Sequence, residues 1–324
     1  MKEKLRDHRI DTMKGILISL VILGHLLENN LSYGVNRSLY VFIYSFHMPL
    51  FVYTTGYFTT CRWDRLLRNL LYPYVIFQTL YLLFDHFVLG HHTQITYLTP
   101  YWILWYLLAV IAWTLLQRGL RFLTRHRKQQ IIILLITCVI SLLAGYVEEI
   151  GRVLSLSRIL VFFPFFLFGT LSRIGMEERT QKNRRGITVV AVCSVILTSV
   201  FVFYADKIRL SALYEANSYA DGGYTILFRG LHLMIATGWI ILAMHWIPNR
   251  KIPYLTALGT KTMPIYLLHG FFIKWIGQCS YFDSIRQNTL FAVCITFFLL
   301  VILQWNPLIR LIQPLLHGNV LHKP

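Results

Sequence analysis

Long apolar runs separated by short basic segments dominate the pattern of the chain. A membrane-spanning helix needs about 20 mostly apolar residues to cross a hydrocarbon core of ~30 Å. Ten stretches meet this requirement, so the pattern predicts an all-α, polytopic integral membrane bundle of about ten transmembrane helices. The ten stretches lie near residues 12–30, 38–58, 66–89, 98–116, 129–147, 153–173, 186–205, 223–247, 255–276 and 289–311.

Helix-breaking residues interrupt two of these runs. Pro49 and Gly56 lie in the second run, and Pro73 lies in the third. Membrane proteins tolerate irregular backbone where it faces protein or water, so both runs are expected to be kinked or partly re-entrant. The longest outer connection, about residues 205–222, is polar, and it either shapes an outward-facing pocket or is a plain loop.

The composition is typical of an integral membrane protein. Of the 324 residues, 56% are hydrophobic and 14% are charged, whereas soluble proteins carry about 25% charged residues. The apolar runs leave little chain for anything else, so we expect one integral membrane domain over residues 1–324 and no separate soluble domain. The five cysteines show neither metal-binding nor disulfide spacing, and no metal is expected.

The positive charge has a membrane explanation. The chain holds 31 Lys and Arg against 14 Asp and Glu, a net charge of +17. In a soluble protein this excess is typical of nucleic-acid binding, but here 21 basic residues fall in alternate connections on one side of the bundle and 6 on the other. Cytoplasmic loops collect Lys and Arg. We therefore expect a multi-pass protein of the cell (plasma or inner) membrane with both termini cytoplasmic, in contact with membrane lipid and not with nucleic acid.

The polar residues inside the runs are mostly histidines, and carboxylates are nearly absent. Buried ionisable groups in membranes usually mark a working site, and histidine exchanges protons near neutral pH. This pattern favours acid–base chemistry on a neutral or anionic substrate over cation-coupled transport. The interior set comprises His25, His47, His232, His245 and His269, with Lys14 and Arg229.

Lys14 and His25 share one face of the first predicted helix. Eleven residues at 3.6 per turn make about three full turns and an axial separation of about 16 Å. Lys14 is then expected near the cytoplasmic end of the helix, and His25, a candidate base, deeper in the membrane. The alternative for His25 is a plain hydrogen bond to a neighbouring helix.

Three other positions are weaker candidates for substrate or donor binding. Arg65 and Arg68 are i, i+3 neighbours at the cytoplasmic boundary, where two guanidinium groups can grip phosphate, although positive-inside loops also carry such residues. His47 precedes Pro49 in an irregular segment, and kinked helix packing is the alternative reading.

Two further pairs occupy later runs. Tyr266 and His269 share a face at i, i+3 spacing, and packing between helices is the alternative. Arg229 and His232 form another such pair nearer the outer side. They either hold an anionic glycan or pyrophosphate, or form a structural pair lined by water.

Taken together, these segments resemble the type-3 membrane acyltransferase family, and within it the fucose 4-O-acetylase-like branch. The match extends over essentially the whole chain, in order. The matching segments are Arg9-Ile-Asp11-Thr-Met-Lys14-Gly15 with Gly24-His25, Phe46-His-Met-Pro-Leu-Phe51 with Gly56-Tyr-Phe58, Arg65-Leu-Leu-Arg68 before Pro73-Tyr74, Trp105-Tyr106-Leu107, and Ile265-Tyr-Leu-Leu-His269.

The resemblance implies a membrane O-acyltransferase that moves an acyl group, commonly acetyl from acetyl-CoA, onto a cell-surface or lipid-linked carbohydrate. It implies that His25 is catalytic and that Lys14, Arg65 and Arg68 contact the donor. Many relatives have Arg at the position of Lys14, and many have a Glu in the fourth helix that residues 102–110 lack. The resemblance also implies acetyl-CoA as co-substrate, a role in envelope polysaccharide biosynthesis, and glycan-assembly proteins as partners.

Two other classes of function fit the same pattern. A glycan or glycolipid transporter (a flippase) also needs a wet bundle and a basic inner face, and a membrane sensor or scaffold needs no turnover. Labelled acetyl-CoA separates the three, because only an acyltransferase consumes the label.

Overall fold

The chain is helical throughout the part that the structure, a computed structural model, describes: residues 7–32, 34–59, 62–91, 94–150, 153–175, 184–279 and 288–318. No strand occurs among these residues. Short 3-10 turns join several helices. The helices are α1 (His8–Leu27), α2 (Gly34–Tyr44), α3 (His47–Phe58), α4 (Trp63–Leu66), α5 (Tyr72–Phe87), α6 (Trp105–Leu120), α7 (Arg127–Leu143), α8 (Leu156–Gly175), α9 (Arg184–Phe203), α10 (Leu210–Leu213), α11 (Tyr219–Gly222), α12 (Ile226–Trp246), α13 (Pro253–Thr260), α14 (Thr262–Gln278), α15 (Thr289–Leu303) and α16 (Asn306–Leu316).

Six helical segments of the described chain are long and apolar enough to cross a membrane as single spans. A seventh arises if α15 and α16, which meet at 73°, count as one broken span. The all-α membrane architecture is thus confirmed, whereas the expected count of ten is not. The six segments are His8–Leu27, Trp102–Leu120, Arg127–Tyr146, Val153–Arg173, Arg185–Phe203 and Ile226–Trp246.

The remaining apolar runs are helical but broken into shorter pieces. The run at 38–58 divides between α2 and α3, where Phe46 leaves the helical conformation (φ −148°, ψ −21°). The run at 66–89 begins with a π-helical turn, Leu67–Leu71, that leads into Pro73 near the start of α5. π-turns commonly mark such irregular, functional stretches. The irregular backbone predicted from the prolines is therefore present.

Two glycines allow the central helices to approach closely. A β-carbon on Gly15 of α1 would collide with the backbone carbonyl of Leu255 in α13, and one on Gly56 of α3 would collide with the backbone of Phe166 in α8. Small residues at helix crossings are a common packing device in membranes. At Gly56 the absence of a side chain thus serves contact with another helix.

Helices α7 and α9 form the apolar exterior of the bundle. Their outward side chains include Leu135, Val139 and Ile196, which are 60%, 53% and 56% exposed. A contiguous exposed apolar surface of this kind suits a lipid environment. Helix α1, in contrast, lies in the core, where Leu17 and Ile22 are buried.

Candidate active site

A cavity of about 710 Å³ follows one face of α1 through the interior. Lys14 lines it near one end of the helix, and His25 and Glu28 line it near the other. Both cation and imidazole thus face the same space, as the three-turn spacing predicts. His47 and Tyr266 contribute to the same wall.

His25 is held by a carboxylate and a hydroxyl. Its Nδ1 lies 3.3 Å from Oε2 of Glu28 and 3.3 Å from the hydroxyl oxygen of Tyr44. A carboxylate only accepts hydrogen bonds, so Nδ1 carries the proton in this pair and Nε2 is left as the basic nitrogen. The hydroxyl of Tyr214 donates to the other carboxylate oxygen of Glu28 at 2.5 Å, which fixes the orientation of that carboxylate.

Two aromatic side chains pack against the imidazole of His25. Trp102 lies with its ring centroid 4.6 Å away, and His269 stacks on it at 5.7 Å. Trp102 adopts a left-handed backbone conformation (φ 38°), which costs a non-glycine residue about 1–3 kcal/mol and persists only where the surroundings enforce it. The strained turn places this ring against the candidate base.

Lys14 forms the cationic end of the cavity. Its Nζ lies 3.4 Å from Oδ1 of the buried Asp11 and 4.8 Å from the ring centroid of Phe58. The lysine side chain is 21% exposed, so it is partly buried in the cavity wall. This arrangement keeps one positive charge at the cavity wall about 16 Å from His25.

His47 and Tyr266 are fixed by bonds to backbone carbonyls. Nδ1 of the buried His47 donates to the carbonyl of Ile43 at 2.9 Å, which leaves its Nε2 as an acceptor. The hydroxyl of Tyr266 donates to the carbonyl of Ile103. Both residues therefore present fixed rings to the cavity and not mobile side chains.

His269 lies behind His25 and does not line the cavity. It is fully buried, and its Nδ1 donates to the carbonyl of Ile265 at 3.1 Å. Its Nε2 has no hydrogen-bond partner among the described residues. The geometry makes it a support for the His25 ring.

Arg65 and Arg68 lie outside the cavity wall. Arg65 is in α4 and Arg68 is in the π-turn that follows, and both are exposed. Leu70 of the same turn lines the cavity, so the pair is on a segment that borders it. Next to them Arg62 donates two hydrogen bonds to Asp64 and holds the pKa of that carboxyl below its usual value.

Arg229 belongs to a buried ion-pair network directly behind the cavity wall and does not line the cavity itself. Its Nε lies 2.8 Å from Oε2 of Glu215, and the other oxygen of Glu215 lies 2.9 Å from Nδ1 of His232. Arg229 is fully buried and also donates to the carbonyl of Ser141 at 3.2 Å. In this structure the guanidinium is therefore paired with a carboxylate inside the protein.

Several site residues carried no role in the sequence-based prediction. Glu28 had a signal, because it stands three residues after His25 on the same helix face. Tyr44, Trp102 and Tyr214 come from remote elements, and spacing alone could not place them. The predicted outer connection contributes Tyr214, so it forms part of the cavity wall and is not a plain loop.

The site resembles an acid–base centre more than a metal centre. No group of three or more potential His, Cys, Asp or Glu metal ligands is found in the described part of the chain. What converges is one imidazole, one carboxylate and two tyrosine hydroxyls, the arrangement of a base oriented by a neighbouring acid.

Two known proteins are similar in sequence to this chain. The chain is 28% identical to Nodulation protein NolL of Sinorhizobium fredii (strain NBRC 101917 / NGR234) over an alignment of 296 residues that covers 82% of this chain and 77% of that protein. A shorter alignment of 59 residues is 44% identical to Nodulation protein NolL of Mesorhizobium japonicum (strain LMG 29417 / CECT 9101 / MAFF 303099), covering 17% of this chain and 16% of that protein. No solved structure matches the chain.

The sequence model of one family spans nearly the whole bundle. This family, described as an acyltransferase domain, matches residues 7–305, a range that contains His25, Glu28 and every other residue of the cavity wall. The chain therefore belongs to the Acyl_transf_3 family, and it is a multi-pass membrane acyltransferase.

Proposed function

We propose that this protein transfers an acetyl group from acetyl-CoA to a hydroxyl of a cell-surface or lipid-linked carbohydrate. The observation that carries the proposal is the position of His25. Its Nδ1 is engaged by Glu28, and its ring lines a cavity that continues to a cation about 16 Å away. A long, narrow donor and an alcohol that must lose a proton both suit this geometry.

The chemistry needs one base and no metal. Nε2 of His25 takes the proton of the acceptor hydroxyl while the hydroxyl oxygen attacks the thioester carbonyl carbon. The tetrahedral intermediate then collapses, the C–S bond breaks, and the imidazolium returns its proton to the departing coenzyme A thiolate. Glu28 stabilises the imidazolium between these two transfers, and base catalysis of this kind contributes about 10²–10⁴-fold. Prior acylation of His25 is the alternative route.

Donor binding is assigned to the inner end of the bundle. Arg65 and Arg68 would contact the phosphates of the coenzyme, since planar guanidinium groups suit phosphate. Lys14 would hold the pantetheine arm at the cavity entrance. The donor would enter this end from the cytoplasm. The proposal therefore places the protein in the cell (plasma or inner) membrane with both termini cytoplasmic.

The acceptor and partners follow from the same chemistry. The acceptor is a carbohydrate or lipid-linked glycan of the envelope, and proteins that assemble such glycans are its expected partners. Membrane lipid surrounds the bundle at the apolar faces of α7 and α9. His47 and Tyr266 are assigned to the acyl end of the donor because both line the cavity.

A turnover experiment tests the proposal. The purified protein in nanodiscs receives acetyl-CoA labelled in the acetyl group, with membrane glycans extracted from cells that express it. The expected result is release of coenzyme A and an equal amount of alkali-labile label on carbohydrate. If the protein neither releases coenzyme A nor binds acetyl-CoA, the proposal is contradicted.

A further inference from the structure

A second, smaller cavity of about 260 Å³ adjoins the first at the candidate base. His25, Glu28 and Trp102 line both cavities. The residues unique to the smaller one include Lys274 and Gln278. The reactive imidazole thus stands at a boundary between two spaces, which is where a base must stand to join two substrates.

The smaller cavity lies at the opposite end of the bundle from Lys14. It is built from the 3-10 turn after α1 (Asn29), the end of α14 (Lys274 and Gln278) and the segment after α5 (His91). Helices α1 and α14 run in the same direction, because their final turns meet where Asn29 packs against Gly277. His25 is therefore exposed to this second space as well as to the large cavity.

The two cavities differ in chemistry. The large one is walled mainly by aromatic and aliphatic side chains, whereas most side chains around the small one are hydrogen-bonding groups. The small cavity offers donors from Lys274 and acceptors from Glu28, with Gln278 able to do both. A sugar hydroxyl both donates and accepts, so this mixture suits a sugar ring.

The polar side chains of the small cavity are held in place by their neighbours. The Nζ of Lys274 lies 4.6 Å from the ring centroid of Trp102, within cation–π range. Gln278 hydrogen-bonds to Nε2 of His91, whose Nδ1 lies 3.1 Å from Oδ1 of Asp85. Fixed groups of this kind bind with less loss of conformational entropy than mobile ones.

Resting on the proposed function, we propose that the smaller cavity is the acceptor site and takes a single sugar ring. Lys274 and Gln278 bind its hydroxyls, and Trp102 separates it from the donor. At about 260 Å³ the space lies just below the ~300–1,000 Å³ of sites for drug-sized ligands, which suits one ring and excludes a whole coenzyme.

Steady-state kinetics in nanodiscs test this assignment. Acetyl-CoA serves as donor, and a panel of methyl glycosides of neutral hexoses and 6-deoxyhexoses serves as acceptor. Lys274→Met and Gln278→Ala should each raise the KM of the best glycoside about tenfold or more, as expected for loss of a hydrogen bond to one fixed group, while the KM of acetyl-CoA stays within about twofold.

Matched controls come from outside both cavities. Lys207 is exposed and its Nζ lies 5.2 Å from the ring centroid of Tyr204, so Lys207→Met removes the same kind of contact. Gln313 is exposed on α16, and Gln313→Ala is the control for Gln278. Both controls should leave the KM of the glycoside unchanged.

The outcomes separate this inference from the proposed function. Wild-type protein that releases coenzyme A but is stimulated by no glycoside of the panel overturns the sugar assignment alone. An unchanged glycoside KM in Lys274→Met and Gln278→Ala, or a rise confined to the acetyl-CoA KM, also overturns it. Wild-type protein that neither binds nor consumes acetyl-CoA contradicts the proposed function itself.

Discussion

Nδ1 of His25 lies 3.3 Å from Oε2 of Glu28, one helical turn later on the same face. The pair spans the last turn of α1 and the 3-10 turn that follows it, so the carboxylate is positioned by local backbone geometry. Tyr214 approaches from the other side of Glu28. The imidazole of His25, the carboxylate of Glu28 and the hydroxyl of Tyr214 therefore form a continuous chain of contacts beside the cavity.

Replacing His25 removes the proposed base. We expect His25→Ala to lower the rate of acetyl transfer by about 10²–10⁴-fold, the usual contribution of general base catalysis. Coenzyme A release in nanodiscs measures the effect, with membrane insertion checked by yield and monodispersity. His245→Ala, at an exposed position of α12, is the control and should retain full activity. Normal transfer by His25→Ala would rule out the role.

Glu28→Gln keeps the size of the side chain and removes its charge. The imidazolium that forms during transfer then loses a charge-assisted partner worth about 1.5–3 kcal/mol, which corresponds to roughly a ten- to hundredfold lower kcat. A kcat equal to that of the wild type would show that Glu28 does not act through His25.

The double variant Arg65→Gln, Arg68→Gln tests the donor contact. Because both side chains lie outside the cavity wall, we expect a higher KM for acetyl-CoA, about tenfold or more, with a smaller effect on kcat. Arg310→Gln, at an exposed position of α16, controls for general loss of positive charge. A lower kcat at unchanged KM would contradict the phosphate contact.

Variants of Lys14 test whether donor binding needs a positive charge or a particular hydrogen-bond geometry at the other end of the cavity. Lys14→Met removes a positive charge from the cavity wall, so donor affinity is expected to fall about tenfold, whereas Lys14→Arg keeps the charge and should stay within a few-fold of the wild type. Binding of acetyl-CoA measured by calorimetry in nanodiscs checks this. Lys251→Met, which is exposed, serves as the control, and equal affinity in all four proteins would remove Lys14 from the donor site.

Arg229 should matter for stability more than for chemistry. Arg229→Met removes the cation from the buried carboxylate of Glu215 and leaves it with His232, at an expected cost of about 3–5 kcal/mol in the free energy of unfolding. Thermal unfolding in detergent should show a clear loss, and the double variant Arg229→Met, Glu215→Gln should recover part of it. The exposed position Arg121 provides the control, Arg121→Met. Unchanged thermal stability in Arg229→Met would contradict the structural role.

Apolar periodicity could predict the broad architecture because lipid imposes a simple rule on each segment separately. A run of about 20 apolar residues must satisfy its own backbone hydrogen bonds, so it becomes helical wherever it lies in the chain. The number of full spans did not follow from this rule. The 38–58 run divides at Phe46, and the 66–89 run begins with a π-turn before Pro73. The prolines predicted irregular backbone in both runs, but whether a kinked run still crosses as one span depends on the helices packed around it.

The chain by itself determined which residues share a face of one helix, because helical spacing is local: Lys14 and His25 face the same cavity for that reason. Only the tertiary structure decided what meets those residues. Tyr214 reaches Glu28 across 186 positions of the chain, and Arg229 is neutralised by Glu215 inside the protein instead of facing a ligand. Contacts between residues so distant in the sequence depend on how the helices pack against one another. That packing involves the whole bundle, so no single segment of the sequence determines it.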